Sequence, residues 1–327
     1  MPEPVNRRFF VMNISIIIPL YNEAESLPEL IAQTERVMTE HSLSYELIFV
    51  DDGSSDGSWA VIRRAAQDNP AIHAIGFRRN YGKSAALFCG FRKATGDVVV
   101  TMDADLQDSP DEIPEMYRMV TEGGFDLVSG WKKVRHDHKL SKNIPSKIYN
   151  ATARLMTGIQ LHDMNCGLKA YRLRVVKSIE VYGEMHRYIP VLAAKAGFRR
   201  IGEKVVTHRA RKYGASKFGW SRFANGFLDL ISILFISRFG RKPMHFFGAL
   251  GTLMFLSGFL SAAWLGIQKI YLLRQGIRAG LVTSSPYFYL ALTAMILGTQ
   301  LFLAGFLGEL ISRNSSERNT YYIDEEF

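Results

Sequence analysis

The chain has 327 residues, enough for an α/β core with an appendage and too many for one small domain. Its formal charge is +9, yet no recognised nucleic-acid motif accompanies the basic excess, which argues against nucleic acid as a partner. Two cysteines, Cys89 and Cys166, stand at no metal-ligand spacing, so a disulfide framework is excluded and a reducing compartment is expected.

Residues 14–19 form a short, β-branched apolar run that reads as the first strand. Arg7 and Arg8 ahead of it resemble the start of a signal peptide, but Pro19 and Asn22-Glu23 interrupt the run too early. Ser26-Leu-Pro-Glu29 has capping-box spacing and opens a helix to about Glu40. A second strand over 45–50 ends on Asp51-Asp52-Gly53, and a helix starts near Ser58. Then come a strand over 72–77, a helix over 84–94 stopped near Gly96, and a near-continuous apolar strand over 98–102. The last of these runs into Asp103-Ala104-Asp105-Leu106-Gln107. Ser109-Pro-Asp-Glu112 repeats the capping-box spacing before another helix, and 126–129 reads as a further strand. The alternation predicts a doubly wound α/β domain with a mostly parallel sheet. Polar residues gather where its strands end, which is where open sheets of this class bind ligands.

Basic residues cluster twice beyond this core. Lys132, Lys133, Arg135, Lys139, Lys142 and Lys147 face one acid, Asp137, and a second run holds Arg209, Arg211, Lys212, Lys217 and Arg222. Between Trp220 and Arg238, Trp220, Phe223, Phe227, Ile231, Leu234 and Phe235 recur at helical spacing. That pattern predicts a helix lying in a membrane interface, with an amphipathic core helix as the alternative. Residues 246–267 and 286–308 contain no charged side chain. As helices each would be about 33 Å long, against a hydrocarbon core of about 30 Å, so a transmembrane hairpin is expected. The implied divisions are a catalytic domain over 1–218, a juxtamembrane helix over 219–243, the hairpin over 244–311 and a polar tail over 312–327. Basic residues beside membrane spans suit anionic headgroups and a phosphorylated lipid.

Asp103 and Asp105, two carboxylates one residue apart at a strand end and close to Gln107, can face one divalent cation that bridges a diphosphate. Such a metal would neutralise charge developing on a leaving nucleoside diphosphate. Ile18-Pro-Leu-Tyr-Asn-Glu23, Val50-Asp-Asp-Gly-Ser-Ser-Asp-Gly-Ser58 and Asp103-Ala-Asp-Leu-Gln107 together resemble family 2 glycosyltransferases with a GT-A fold. Arg79-Asn-Tyr-Gly-Lys-Ser-Ala-Ala86, Asp163-Met-Asn-Cys-Gly-Leu-Lys169 and Arg211-Lys-Tyr-Gly-Ala-Ser-Lys217 narrow the resemblance to the polyprenyl-phosphate subgroup, which includes dolichyl-phosphate mannose synthases and bactoprenol glucosyltransferases.

The resemblance implies inverting transfer of a hexose from a nucleotide-sugar to a polyprenyl phosphate. Pro19, Tyr21, Glu23, Val50 and Asp52 would hold the nucleoside, Lys83 would approach the diphosphate, and Asp103 and Ala104 would complete the donor side. Asp105 and Gln107 would bind Mg²⁺ or Mn²⁺. Arg135, Lys142, Ser146, Arg211 and Lys217 would receive the acceptor phosphate. Asp103, Asp105, Asp163 and Arg211 form the implied catalytic set, with shaping of the loop before Gly167 as the other role open to Asp163. Trp131 stands where related enzymes carry Arg, so Lys132 or Arg135 would substitute; His186 reads as a surface residue. The phosphate is largely ionised at neutral pH and needs no strong base, so the protein's task is to screen and align two anionic groups.

UDP-glucose with undecaprenyl phosphate is the expected pair, with GDP-mannose or an aminoarabinose donor as alternatives. A processive polysaccharide synthase is disfavoured because Gln-x-x-Arg-Trp is missing, and a non-catalytic scaffold because Asp103, Asp105 and Gln107 are intact. Arg238, Arg241, Lys242, Arg313 and Arg318 flank the spans, and Lys269, Arg274 and Arg278 lie in the hairpin turn. With nucleotide-sugars cytosolic, the expectation is a multi-pass inner-membrane protein in contact with membrane lipids, its catalytic domain and both termini cytoplasmic. Assembly into a homo-oligomer is left open.

Overall fold

The computed structural model describes residues 12–133, 154, 158–209, 212–213, 243–277, 280–314 and 323–326. The chain divides into two compact units, one of Met1–Ile231 with Asn319–Phe327 and the other of Ser232–Arg318.

The first unit follows the expected alternation closely. Its elements run β1 (Ile14–Leu20), α1 (Leu27–Glu40), β2 (Tyr45–Asp51), α2 (Ser58–Asp68), β3 (Ile72–Phe77), α3 (Lys83–Lys93), β4 (Val98–Thr101), α4 (Ile113–Thr121) and β5 (Leu127–Trp131). Then follow β6 (Lys169–Arg172), α5 (Leu173–Ser178), α6 (Ile189–Lys195), β7 (Ile201–Val205) and, from the far end of the chain, β8 (Ile323–Glu326). The sheet order is β7-β5-β6-β4-β1-β2-β3-β8. Strand β1 pairs in parallel with β2 and β4, and β2 with β3, so these four strands end on the same side. Ile14, Ile16, Ile17 and Ile18 of β1 are fully buried, which is why the strand reads as a continuous apolar run and not as an alternation. α1 presents Leu27, Leu30, Ile31, Val37 and Met38 to the core at helical spacing.

Three features depart from expectation. The sheet is mostly parallel as expected, but it also takes in two antiparallel strands with no signal in the sequence, β6 between β4 and β5 and β8 beside β3. Neither capping box forms. Ser26 Oγ donates back to Glu23 O at 2.9 Å, and Ser109 Oγ donates to Asp111 Oδ2 at 2.7 Å, so neither hydroxyl caps its helix. Glu112 instead accepts the Thr207 N–H at 3.0 Å and pairs with Lys204 of β7. Finally, the polar stretch after the second apolar helix is not merely a tail. Within it β8 extends the sheet, with Ile75 opposite Glu326 and Gly76 opposite Glu325. Glu325 accepts the Trp59 indole N–H at 2.9 Å and pairs with Arg63, while Glu326 pairs with Lys93 at 3.0 Å.

The second unit is a helical hairpin of α7 (Pro243–Arg274) and α8 (Pro286–Asn314). Two stretches, Phe246–Arg274 and Pro286–Gly308, are long and apolar enough to cross a bilayer. Close approach of the two backbones requires glycine. A Cβ on Gly251 would lie 2.5 Å from Gly298 O, and one on Gly298 would lie 2.6 Å from Gly251 O. The expected interfacial helix over 220–238 lies outside the described residues.

Candidate active site

Because β1 to β4 are parallel, Tyr21-Asn22-Glu23, Asp52-Gly53, the loop leading to Lys83, and Asp103–Asp108 all emerge at one sheet edge. Direct bonds tie these loops together. Asn22, at φ +57°, donates its backbone N–H to Ser54 Oγ at 2.9 Å, and its side-chain Oδ1 accepts the Ser55 N–H at 2.8 Å. Glu23 N–H donates to Ser58 Oγ at 3.0 Å. Tyr21 is exposed, whereas Val50 is fully buried and Pro19 only partly so.

Asp52 makes local contacts with the backbone of a neighbouring loop. Both of its oxygens accept backbone N–H groups, from Tyr81 at 2.6 Å and Gly82 at 2.9 Å, and the side chain is buried. Burial raises its pKa, and those two N–H groups partly offset the rise. Asp52 therefore clamps the turn that starts α3 and aims Lys83. The neighbouring Gly53, at φ +75°, admits this turn, since a Cβ there would stand 2.6 Å from the Arg79 carbonyl carbon.

Lys83 forms an ion pair with Asp103. Burial raises the Asp103 pKa, but the Lys83 and Lys132 ammonium groups overcome this and hold its carboxyl down at about 2. Gly167 packs directly against this carboxylate; a Cβ there would lie 2.4 Å from Asp103 Oδ2, and Gly167 O accepts the Thr101 hydroxyl at 2.9 Å. That contact brings the segment 163–169 against the DxD loop. Leu106 bends the loop at φ +59°, a conformation unusual for a branched residue, and Gln107 N–H donates to Asp105 Oδ1 at 3.2 Å. Ala104 and Asp105 are buried in the same loop.

Lys132 does not reach outward as a substitute for arginine. It lies 2.7 Å from Asp108 Oδ1, and both side chains are largely buried. Burial raises the Asp108 pKa, with Lys132 opposing; burial lowers that of Lys132, but Asp108 leads the charges that raise it overall. Trp131 stacks on His162 with ring centres 4.1 Å apart. Asp163 is 1% exposed and accepts the Asn165 N–H at 3.2 Å, the arrangement of a loop-shaping carboxylate. Of the acceptor-side candidates, Arg135, Lys142, Ser146, Arg211 and Lys217 lie outside the described residues. Arg209 N–H donates to Gln107 O at 2.9 Å, so the chain leading toward Arg211 runs against the DxD loop.

Sequence reasoning overlooked Asp108, Lys169 and the pair Ser84–His186. Lys169 is buried, donates to Cys166 O, and has its pKa lowered first by burial. His186 is not a surface residue; its side chain keeps 15% of its area. Their one sequence signal was position: Ser84 follows Lys83, and Lys169 closes the segment carrying Gly167.

Residues 15–180 match the family model for glycosyl transferase family 2. A dodecaprenyl-phosphate galacturonate synthase of Rhizobium johnstonii is 35% identical over 96% of this chain and 90% of its own. An undecaprenyl-phosphate 4-deoxy-4-formamido-L-arabinose transferase of Pectobacterium carotovorum subsp. carotovorum is 36% identical over 93% of this chain and 89% of its own. Among solved structures, glucosyl-3-phosphoglycerate synthase from Mycobacterium tuberculosis in complex with UDP shares the fold at TM-score 0.53 and 20% identity, covering 70% of this chain and 80% of that one. Mannosyl-3-phosphoglycerate synthase from Rubrobacter xylanophilus does so at TM-score 0.58 and 16% identity, covering 69% and 75%. The protein is a glycosyltransferase, and the chain belongs to glycosyl transferase family 2.

Proposed function

We propose that the protein transfers a sugar from a nucleoside diphosphate to a polyprenyl phosphate, with inversion, at the cytoplasmic face of a membrane. The observation that carries this reading is the Lys83–Asp103 pair beside the buried Asp105, at the shared end of four parallel strands. Lys83 supplies positive charge for the departing diphosphate, and Asp52 holds the turn that delivers it. The full-length relatives support the polyprenyl phosphate acceptor, and the two apolar helices would keep the cleft near such a lipid.

A divalent cation fits the donor set. Asp105 and Gln107 offer hard oxygens, as Mg²⁺ and Mn²⁺ prefer, whereas Asp103 is engaged by Lys83. Among the described residues no group of three or more His, Cys, Asp or Glu side chains is placed to hold a metal ion, so a metal held by Asp105 and Gln107 would take its remaining ligands from diphosphate oxygens and water. Such an ion would supply electrostatic stabilisation of the leaving group. Arg211 and Lys217, with Arg135, Lys142 and Ser146, are the proposed acceptor-phosphate contacts.

The donor sugar follows the relatives more closely than it follows glucose. Galacturonate and formamidoarabinose transferases are both about as similar to this chain as each other, so an oxidised or amino-modified sugar is the preferred donor class. Purified protein in undecaprenyl-phosphate liposomes should convert labelled UDP-galacturonate or UDP-4-deoxy-4-formamido-L-arabinose into a lipid-extractable product, faster than UDP-glucose or GDP-mannose. Preference for UDP-glucose would reverse the donor assignment. A nucleotide-releasing reaction without any lipid product would remove the polyprenyl acceptor.

A further inference from the structure

His186 has no part in the reading above, yet it is anchored beside the residues that do. It sits in the short 3-10 turn Met185–Tyr188, and two hydrogen bonds join it to Ser84, the residue after Lys83. The His186 backbone N–H donates to Ser84 Oγ at 3.0 Å, and His186 Nδ1 lies 3.1 Å from the same oxygen. Ser84 is 1% exposed, and His186 is its one side-chain partner among the described residues. A buried hydroxyl proton left without an acceptor is costly, so the Ser84 O–H donates to Nδ1. The ring proton then resides on Nε2.

The electrostatics keep that ring neutral. Burial lowers the His186 pKa well below its usual value, and Lys83, Arg187 and Lys169 push it further in the same direction, against Asp103. The result is an uncharged N–H donor, oriented by Ser84, whose Nε2 meets no partner among the described residues. Ser84, to which it is bonded, is the residue after Lys83 on α3, the ammonium assigned to the diphosphate. Phosphate oxygens are already served by Lys83, whereas a sugar hydroxyl is recognised as well by a neutral donor as by a charged one.

We propose that His186 is a donor-binding residue whose Nε2–H bonds an oxygen of the transferred sugar, with Ser84 as the positioning residue that sets its tautomer. The inference rests on the transferase reading and adds a contact to the sugar half of its donor. It also gives the segment 184–188 a function, since that segment forms the wall beside the first turn of α3.

The test compares wild-type protein with His186→Ala, His186→Gln and Ser84→Ala. The ligand pair is whichever of UDP-galacturonate, UDP-4-deoxy-4-formamido-L-arabinose, UDP-glucose or GDP-mannose wild type turns over fastest, against its own free nucleoside diphosphate. His186→Ala should weaken binding of the nucleotide-sugar about five- to tenfold, the loss expected of one hydrogen bond, and leave the free diphosphate unchanged. His186→Gln, which keeps an N–H near the Nε2 position, should recover part of the loss, and Ser84→Ala should fall between. The KM for lipid acceptor should not move. Equal losses on nucleotide-sugar and free diphosphate would overturn the sugar contact. So would unchanged affinities with only a lower melting temperature, since that marks a structural strut. Turnover of none of the four donors would remove the donor class proposed above and this inference with it.

Discussion

Ile16, Ile17 and Ile18 of β1 have 0% of their surface exposed, whereas Leu253, Trp264 and Leu303 of the hairpin keep 66%, 68% and 53%. The two regions are built from the same residue classes, and they satisfy them in opposite ways. β1 is seven residues long and is covered on both sides by its own helices and strands. The hairpin helices, of 32 and 29 residues, cover each other only along one seam, where Gly251 meets Gly298. In water each large apolar side chain left exposed forgoes about 1.5–3 kcal/mol, so a surface of this kind is stable only where the surroundings are apolar. Hydropathy alone does not separate the two cases; length and the availability of covering elements do.

The largest expected effect tests whether chemistry belongs wholly to the water-facing region. Asp105→Asn should lower transfer at least about a hundredfold, while folding and membrane partitioning stay as in wild type. Lipid-product formation together with circular dichroism and detergent partitioning measures both. Activity near wild type at saturating Mg²⁺ would take Asp105 out of the site.

A paired glycine replacement probes the two solvents directly. A Cβ on Gly90 of α3 would lie 2.5 Å from Ile17 Cγ2, and one on Gly298 of α8 would lie 2.6 Å from Gly251 O. Gly90→Leu should cost about 3 kcal/mol and weaken nucleotide binding, because α3 carries Lys83. Gly298→Leu should separate two helices that lipid can solvate as well as leucine does, leaving nucleotide affinity unchanged. Thermal unfolding with a nucleotide-binding readout distinguishes them. Equal loss of binding in both variants would mean that the regions are not energetically separate.

The smallest effect is a pH dependence confined to the water-facing region. His186 stays neutral in the folded protein, whereas in the unfolded chain it takes a proton near pH 6.5. The unfolded state then binds more protons, so stability rises with pH and falls as pH drops below about 6.5, by at most about 1.4 kcal/mol per unit. The carboxyl of Asp103 acts lower down: with its folded pKa at about 2, its contribution is present above about pH 4 and fades below. Urea titrations of wild type and His186→Asn between pH 7.5 and 5.5 should diverge as pH falls. Parallel curves would show that His186 is protonated in the folded state.

The parallel half was legible because its strands are apolar runs that end near polar motifs. Strands β1 to β4 and helices α1 and α3 follow the expected spans within a residue or two. Helix α2 starts where expected, and α4 starts at Ile113, after a 3-10 turn at Pro110–Glu112. Strand β6 was not. Lys169-Ala-Tyr-Arg172 carries a cation at each end, and its place in the middle of the sheet comes from pairing with β4 and β5, which no local pattern encodes. Asp52 illustrates the same limit in the site. Its position after a strand puts it at the edge where the four parallel strands end. Whether it faces a ligand or two backbone N–H groups depends on a loop 29 residues away. Ser26 and Ser109 had the right spacing for caps and found nearer partners in Glu23 and Asp111. The basic residues expected at the acceptor lie outside the described residues, apart from Lys132, which Asp108 engages.

Strand β8 changes how the protein must be made. Its partner β3 is finished early in synthesis, yet Glu326 follows Ile75 only after 251 residues of chain, with both hairpin helices in between. Until then the outer edge of β3 presents open backbone N–H and C=O groups to solvent, the kind of edge that recruits stray strands. A polypeptide cut at residue 218, where the sequence suggests the catalytic domain ends, would keep that edge bare permanently. β8 thus closes this edge of the sheet only after the chain has delivered its two most apolar segments.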